Sequence, residues 1–490
     1  MLFNSLEFAL FFPVVLALNL ALPRRVRWVM LLVASYAFYM AWHPAYGLLL
    51  AASTALDWAV GRVLGRLPPE QIGRRRAALA VSLCGNLGML FAFKYYNLVN
   101  GTFVALAARA GLAWPLPETD WLLPVGISFY TFQTMSYAID VYRGRLAPEP
   151  NLGRFALFVS FFPQLVAGPI ERAGSLLPQL RAPSPVDRQR IASGLRLAAW
   201  GLFKKVVVAD RLSGVVDTVF ADPGGYSGVS LVITMLFFTY QLYCDFSGYS
   251  DMAIGLARTL GVDLMQNFDQ PHGSRSMTEM WTRWHISLST WFRDYLYVPL
   301  GGNRTSQARW VLNMAIVFLV SGLWHGAAWR LAAWGGMHAV LVIGERLTGP
   351  ARERLFRAIG LAQRPRLRDV LGNAYTFVLW IVTLVPFRAD SVTDAATVFR
   401  RLPLGWAHAL DFEGLLFFLS RVHLDLAMFL WCLALMPLVE LVDWARRPAD
   451  AEARFEALPL PVRWGLVYAV AFGVLLLGHW NETPFVYFQF

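Results

Sequence analysis

Long apolar runs recur along the whole chain, and they constrain its fold more than any other feature. Each run is bounded by charged residues, Pro or Gly; examples are residues 8–22, 29–42, 121–138, 231–243, 377–386 and 467–477. A membrane-spanning helix needs about 20 predominantly apolar residues. Allowing that length for each span, we predict an all-α, polytopic membrane protein with about 11 transmembrane helices.

The charge content agrees with a chain that lies in a lipid bilayer. Charged residues make up only 15% of the sequence and hydrophobic residues 57%, whereas a soluble domain has about 25% charged residues. The net charge of +11 comes from basic residues in short loops, so the positive-inside rule explains it better than a nucleic-acid partner. No soluble segment interrupts the pattern, and we predict a single integral domain over residues 1–490.

Loop charges also predict the orientation of the helices. The first inter-helix loop is basic, the next reads "HPAY" without charge, and the third is again rich in Arg. This alternation places the N-terminus outside the cytosol. The first apolar run follows "MLFNSLE", which has no basic residue, so a retained helix is predicted rather than a signal peptide. The basic segment from Glu345 to Asp369 is predicted to be a cytosolic loop that contains an amphipathic piece, which could lie on anionic lipid.

The cysteine pattern argues against metal binding. Cys84, Cys244 and Cys432 are widely separated and lie in apolar surroundings, which predicts reduced, packed thiols. The sequence also has no HExxH motif and no carboxylate-rich cluster beside its histidines. We therefore predict no metal site.

One stretch, from Asp263 to Arg304, is too polar for a lipid-exposed span. It must lie at an interface, re-enter the membrane shielded by protein, or line a wet cavity. Within it, Met277 to Tyr297 has aromatic and apolar residues at spacings of three and four, which predicts one amphipathic helix with an aromatic stripe. His285 should then lie on a different face from that stripe.

A second histidine lies in "SGLWHGAAW", residues 321–329. The apolar run before it has about 12 residues, or roughly 18 Å of helix, which is well short of a 30 Å hydrocarbon core. This predicts a hairpin that holds His325 deep in the membrane. An ionisable residue there indicates a functional site, although a helix–helix hydrogen bond is the alternative. Gly322 and Gly326 would leave room for another helix or a substrate.

Other polar residues have weaker assignments. His338 follows His325 by 13 residues, and we expect it to pack or make a structural hydrogen bond, so His285 is the better partner for His325. Asp245 and Asp251, in "CDFSGYSDMAIG", either line a cavity or cap helix ends. The prolines and glycine of "FFPQLVAGPIER" predict a broken or re-entrant helix.

Histidines in such a setting favour proton chemistry. An imidazole has a suitable pKa to take a proton from a hydroxyl group that attacks an acyl carbonyl. A proton relay, an ion pathway or a transporter would use similar residues. The residue types alone leave these functions open.

Several long motifs, in the same order along the chain, resemble the membrane-bound O-acyltransferase (MBOAT) family, in particular its bacterial branch typified by the membrane subunit of alginate O-acetyltransferase. They are "LPVGISFYTFQTMSYAIDVYRG", "FFPQLVAGPIER", "YCDFSGYSDMAIGLARTLG", "WTRWHISLSTWFRDYLYVPLGGNR", "SGLWHGAAW" and "TPFVYFQF". The resemblance implies tilted helices around a central funnel or tunnel. It also implies that His325, in "LWHG", and His285, in "RWHIS", are catalytic.

By resemblance, the donor is a cytosolic thioester, acetyl-CoA, and the acceptor is an exported polysaccharide, with alginate favoured over peptidoglycan, cellulose or another exopolysaccharide. The resemblance further implies a bacterial inner membrane and a periplasmic esterase-like partner that completes the transfer. His325 would act as a general base or as a transient acetyl carrier. Arg283, Arg293 and Arg304 could contact CoA phosphates, although positive-inside loading explains them equally well.

Overall fold

The computed structural model describes residues 1–166, 168–406, 411–447, 450–480 and 485–486. In these ranges the regular structure is helical, and no residue lies in a β-strand. The all-α prediction is confirmed. Of the C-terminal motif "TPFVYFQF", only Phe485 and Val486 lie within the described residues.

The chain divides into two compact units that alternate along the sequence. The first comprises residues 1–198 and 249–265, and the second comprises residues 199–248 and 266–490. The first unit contains α1 Leu6–Ala21, α2 Arg24–Met40, α3 Tyr46–Arg66, α4 Ile72–Leu90, α5 Tyr96–Arg109, α6 Ile127–Tyr142, α7 Leu152–Ser160, α8 Phe162–Leu165, α9 Ala173–Arg181 and most of α10 Arg188–Phe203. The single-domain organisation stays a prediction.

The second unit holds both histidines of interest. Its helices are α11 Asp210–Ala221, part of α12 Gly228–Thr259, α13 Met277–Arg283, α14 Ile286–Phe292, α15 Gln307–His325, α16 Trp329–Ala358, α17 Pro365–Arg388, α18 Val392–Arg401, α19 Phe412–Arg421, α20 Leu426–Arg446, α21 Ala451–Glu456 and α22 Leu460–Leu477. Single π-helical turns, Lys204–Ala209 and Arg293–Tyr297, follow α10 and α14.

Among the described residues, seven helices are long and apolar enough to cross a membrane. They are residues 46–66, 72–109, 228–259, 307–325, 365–388, 426–446 and 460–477. Helix α1 is apolar but shorter. The exact number of spans stays a prediction, because length and composition alone do not decide whether the remaining helices cross.

Some local expectations were wrong. Cys84 is exposed whereas Cys244 and Cys432 are buried, because only 17% of the apolar span around Cys84 is buried within the protein. In sequence, an apolar surface turned outward looks the same as one turned inward. The basic segment that begins at Glu345 is more helical than a loop with one amphipathic piece, since α16 continues through it to Ala358. Its cytosolic position stays a prediction.

The expected break in "FFPQLVAGPIER" is confirmed. Helix α7 ends at Ser160, Phe161 is non-helical, and the four-residue α8 follows before the chain leaves helical conformation. Prolines restrict the preceding residue and remove a backbone donor, which is why the helix cannot continue through the motif.

Candidate active site

Helices α15 and α16 form the predicted hairpin, and His325 is the last residue of its first arm. After His325 the chain is extended at Gly326 before α16 begins at Trp329. Helix α15 has 19 residues, about 28 Å at 1.5 Å per residue. That length is close to the full thickness of a hydrocarbon core, so the depth of His325 in the membrane stays a prediction.

Two glycines bring the arms of the hairpin into direct contact. A Cβ added at Gly322 would collide with the carbonyl oxygen of Leu331, and one added at Gly335 would collide with that of Phe318. The neighbours that would be struck are backbone atoms, which cannot rotate away. Gly322 thus serves the packing of α15 against α16, which is one of the two uses expected from the sequence.

The His325 ring is buried among aromatic side chains. Its centroid lies 5.0 Å from that of Trp324, 4.9 Å from that of Trp334 and 5.7 Å from that of Phe387, all in edge-to-face arrangements. These rings come from α15, α16 and α17. The imidazole is therefore surrounded by aromatic side chains from three consecutive helices.

His285 lies at a break in the polar stretch. Helix α13 ends at Arg283, Trp284 is extended, and His285 has a φ of 45° before α14 begins at Ile286. The prediction of one continuous amphipathic helix was wrong. Its aromatic periodicity is real, but the left-handed turn at His285 redirects the chain and buries this histidine completely.

The two histidines are neighbours in space. Their ring centroids are 6.4 Å apart, and the Phe246 ring packs edge-on against His285 at 4.7 Å. Burial lowers the pKa of His285 to about 3, so its ring is neutral near pH 7. At this separation a single substrate molecule can contact both imidazoles.

His338 belongs to the adjoining aromatic cluster. The indole N–H of Trp281 donates to His338 Nδ1 at 3.4 Å, and the Trp334 ring lies 4.8 Å from His338 and 4.9 Å from His325. The rings of Trp380 and Phe318 also contact His338. This is the structural hydrogen bond and packing role expected from the sequence.

The three candidate arginines differ in their surroundings. Arg283 pairs with Glu279 at 2.5 Å, and Arg293 pairs with Asp294 at 2.8 Å. Arg304 is exposed in the turn before α15. A carboxylate already compensates the charge of the first two, so Arg304 has the side chain best suited to an incoming phosphate.

Both aspartates of "CDFSGYSDMAIG" lie inside α12, so neither caps an end of that helix. Asp245 is buried and binds Lys205 Nζ at 2.6 Å, and it also accepts from the backbone N–H of Val486 at 2.7 Å. Lys205 pairs with Asp210 at 2.8 Å as well. Asp245 therefore belongs to a buried ionic cluster.

Sequence reasoning did not single out four residues around the two histidines. They are Asn267, Phe246, Trp334 and Phe387. Asn267 lies in the polar stretch that the sequence marked as unusual, so its signal was present but not specific. The three aromatic rings look like ordinary apolar residues of a membrane helix.

The described residues contain no group of three or more His, Cys, Asp or Glu side chains that could hold a metal ion. The site instead has two buried imidazoles, aromatic walls and nearby polar helix ends. These features suit the class of membrane enzymes in which a histidine transfers a proton.

Comparison with known proteins assigns this class to a family. The model of the membrane-bound O-acyltransferase (MBOAT) family matches residues 144–387, which include both His285 and His325. A Pseudomonas aeruginosa protein named "Probable alginate O-acetylase AlgI" is 40% identical over 407 residues, covering 82% of this chain and 75% of the relative. The chain belongs to the MBOAT family.

Relatives named for other acceptors match this chain at lower identity. The "Peptidoglycan O-acetyltransferase" of Helicobacter pylori is 32% identical over 398 residues, which cover 76% of this chain and 72% of the relative. The "Teichoic acid D-alanyltransferase" of Streptococcus thermophilus is 30% identical over 239 residues, or 45% of this chain and 56% of the relative. This chain is therefore a multi-pass membrane O-acyltransferase.

Proposed function

We propose that this enzyme transfers acetyl groups from a cytosolic thioester, acetyl-CoA, for O-acetylation of an exported polysaccharide, with alginate as the favoured acceptor. The approach of His285 to His325, at 6.4 Å between ring centroids, is the observation that carries the mechanism. The 40% identity to a relative named for alginate supports that acceptor over peptidoglycan, whose relative is 32% identical. Cellulose or another exopolysaccharide would be served by the same chemistry.

In this mechanism His325 is the general base. It takes the proton of the attacking hydroxyl, whose oxygen forms a bond to the thioester carbonyl carbon. The C–S bond then breaks, and the imidazolium returns the proton to the thiolate sulfur of CoA. General base catalysis of this kind contributes about 100-fold to 10,000-fold to a rate. A transient acetyl carrier at His325 is the less favoured alternative.

The remaining candidate residues have supporting roles. His285 orients a substrate beside His325, and Arg304 contacts a phosphate of CoA, with smaller contributions from Arg283 and Arg293 because they are paired with carboxylates. Guanidinium groups suit phosphate binding because they donate two hydrogen bonds in a fixed plane.

We further infer that the enzyme lies in the bacterial inner membrane with its N-terminus on the periplasmic side. The alternation of basic and neutral loops supports this orientation. The donor then stays in the cytosol while the polymer approaches from the periplasm. A periplasmic esterase-like partner would then move the acetyl group from the hydroxyl that first received it to the sugar hydroxyl.

The assignment is tested with His325→Ala in cells and with purified protein in lipid nanodiscs. Wild-type protein should release CoA thiol from acetyl-CoA when the acceptor is supplied, and the variant should lose about 100-fold or more of that rate. Polymer acetylation in cells should fall in parallel, while membrane levels of the protein stay equal.

The matched control is His43→Ala, which removes an exposed histidine in the first unit and should leave the rate unchanged. Retained acetylation in His325→Ala would overturn the role of His325. A purified wild-type protein that moves solute without cleaving the thioester would instead indicate a transporter.

A further inference from the structure

Asn267 is a buried residue whose backbone and side chain stabilise the turn at His285, between α13 and α14. Its backbone carbonyl accepts from the N–H of Ile286 at 2.9 Å, and its side-chain Oδ1 accepts from the N–H of Ser287 at 3.2 Å. His285 occupies the capping position of α14 but makes no capping hydrogen bond of its own. Asn267, 18 residues earlier, therefore supplies the oxygen that a capping side chain would otherwise provide.

The backbone contact settles the orientation of the Asn267 amide. A backbone N–H can only donate, so the atom 3.2 Å from the N–H of Ser287 must be the amide oxygen rather than the amide nitrogen. The hydroxyl of Ser287 donates to the same oxygen at 2.9 Å. The amide oxygen of Asn267 therefore acts only as an acceptor toward the groups that face it.

The Nδ1 atom of His285 lies 3.2 Å from that same amide oxygen. Two acceptors at this distance would repel each other, so Nδ1 must carry the proton. The Ser287 oxygen, 3.4 Å from Nδ1, gives its own proton to Asn267 and so also presents a lone pair. A neutral imidazole has one N–H, and the lone pair of His285 therefore lies on Nε2.

We propose that Asn267 is a positioning residue that holds His285 in the tautomer with its lone pair on Nε2, so that His285 binds the attacking hydroxyl and not the thioester carbonyl. A lone pair accepts a hydrogen bond from a hydroxyl group, whereas a carbonyl oxygen needs a donor. This inference rests on the proposed function, and it gives the two histidines different roles. His285 aligns the hydroxyl, and His325 removes its proton.

Two substitutions of Asn267 test the tautomer. Asn267→Asp keeps an acceptor toward Nδ1–H and toward both donors of Ser287, whereas Asn267→Leu removes it at nearly the same volume. Asn267→Leu should lower kcat/KM by about 100-fold or more, since loss of the group that fixes a histidine tautomer can cost up to about 10,000-fold. Asn267→Asp should stay within about tenfold of wild type at its optimal pH.

The pH profile of kcat/KM distinguishes a positioning role of Asn267 from a purely structural one. A carboxylate beside Nδ1–H stabilises the imidazolium, so the acid limb of kcat/KM in Asn267→Asp should move upward by at least about one pH unit. The side chains that contact His285 include an ionisable one, His325 of α15. Phe246 of α12 and Ser287 of α14 also contact it and are uncharged. The shift should vanish in Asn267→Asp combined with His285→Gln.

His285 variants give an independent readout. The side-chain amide of Gln reaches the position of Nε2 and can present an oxygen there, whereas that of Asn reaches only the position of Nδ1. His285→Gln should therefore retain at least about ten times the activity of His285→Asn. Equal activity in the two variants would overturn the proposal.

A matched control is Asn313→Leu, which removes another fully buried amide of the second unit that binds the carbonyls of Leu300 and Gly302. A loss of kcat/KM in Asn267→Leu no greater than in this control, or an unshifted acid limb in Asn267→Asp, would also overturn the proposal.

If His325→Ala is inactive while Asn267→Leu is active, only the role of Asn267 fails. If His325→Ala is itself active, the proposed function fails.

Discussion

The two histidines of the site are positioned in contrasting ways. His325 ends a regular 19-residue helix and is held by a glycine-packed hairpin whose arms are adjacent in sequence. His285 lies in a left-handed turn between two seven-residue helices, and the turn is held by hydrogen bonds that Asn267 accepts. One side chain is placed by local helix packing, and the other by a contact between residues 18 positions apart in the chain.

The difference shows why the two regions tolerate change differently. The hairpin depends on the absence of side chains at Gly322 and Gly335, so a larger residue there should disrupt it through steric overlap. The His285 turn depends on a few specific acceptors and on one strained residue, so it should be disrupted by the loss of hydrogen bonds. Steric failure destabilises the unit, whereas loss of acceptors should mainly affect the chemistry.

The largest expected effect is on the stability of the hairpin. Gly335→Ala places a methyl group against the carbonyl oxygen of Phe318, and the two backbones must separate. We expect a loss of about 3 kcal/mol in the free energy of unfolding, measured as a lower thermal midpoint in detergent, with loss of acyl transfer.

The control for this change is Gly344→Ala, on the same helix α16, where an added Cβ meets nothing within 4 Å. Alanine is favoured over glycine in a helix by about 1 kcal/mol, so the midpoint should stay the same or rise. Equal destabilisation by both substitutions would mean that the close approach of α15 and α16 does not hold the hairpin.

A smaller effect is expected from the backbone at His285. Its φ of 45° costs a residue with a side chain about 1–2 kcal/mol, and glycine adopts it freely. His285→Gly should therefore be more stable than His285→Ala by about 1 kcal/mol, although both lose the imidazole and its activity. Equal midpoints for the two variants would indicate that the turn relaxes once the ring is removed.

The smallest effect is expected at the arginines. Arg304→Gln should raise KM for acetyl-CoA about threefold, and Arg293→Gln should raise it less because Asp294 already compensates that charge. The effect should decrease with added salt. Arg354→Gln, at an exposed position of α16, is the control for net charge, and an equal rise in KM there would argue against a specific phosphate contact.

Much of the hairpin could be predicted from the sequence. The apolar run, the closely spaced glycines and the single histidine of "SGLWHGAAW" all act over one or two helical turns, and local spacing reports such relations well. The same method predicted a continuous helix through His285 and was wrong. Aromatic spacing of three and four persists there, but it cannot reveal that Asn267 replaces the helical hydrogen bonds.

The sequence by itself determined that this chain is an all-helical membrane protein and that His285 and His325 are its distinctive polar residues. Apolar run length and residue chemistry are local properties, so they can be read without coordinates. Only the tertiary structure decided that the two imidazoles are neighbours, that Asp245 belongs to a buried ionic cluster, and that Asn267 lies within hydrogen-bond distance of His285. Each of these depends on contacts between residues far apart in the chain, which no local pattern encodes.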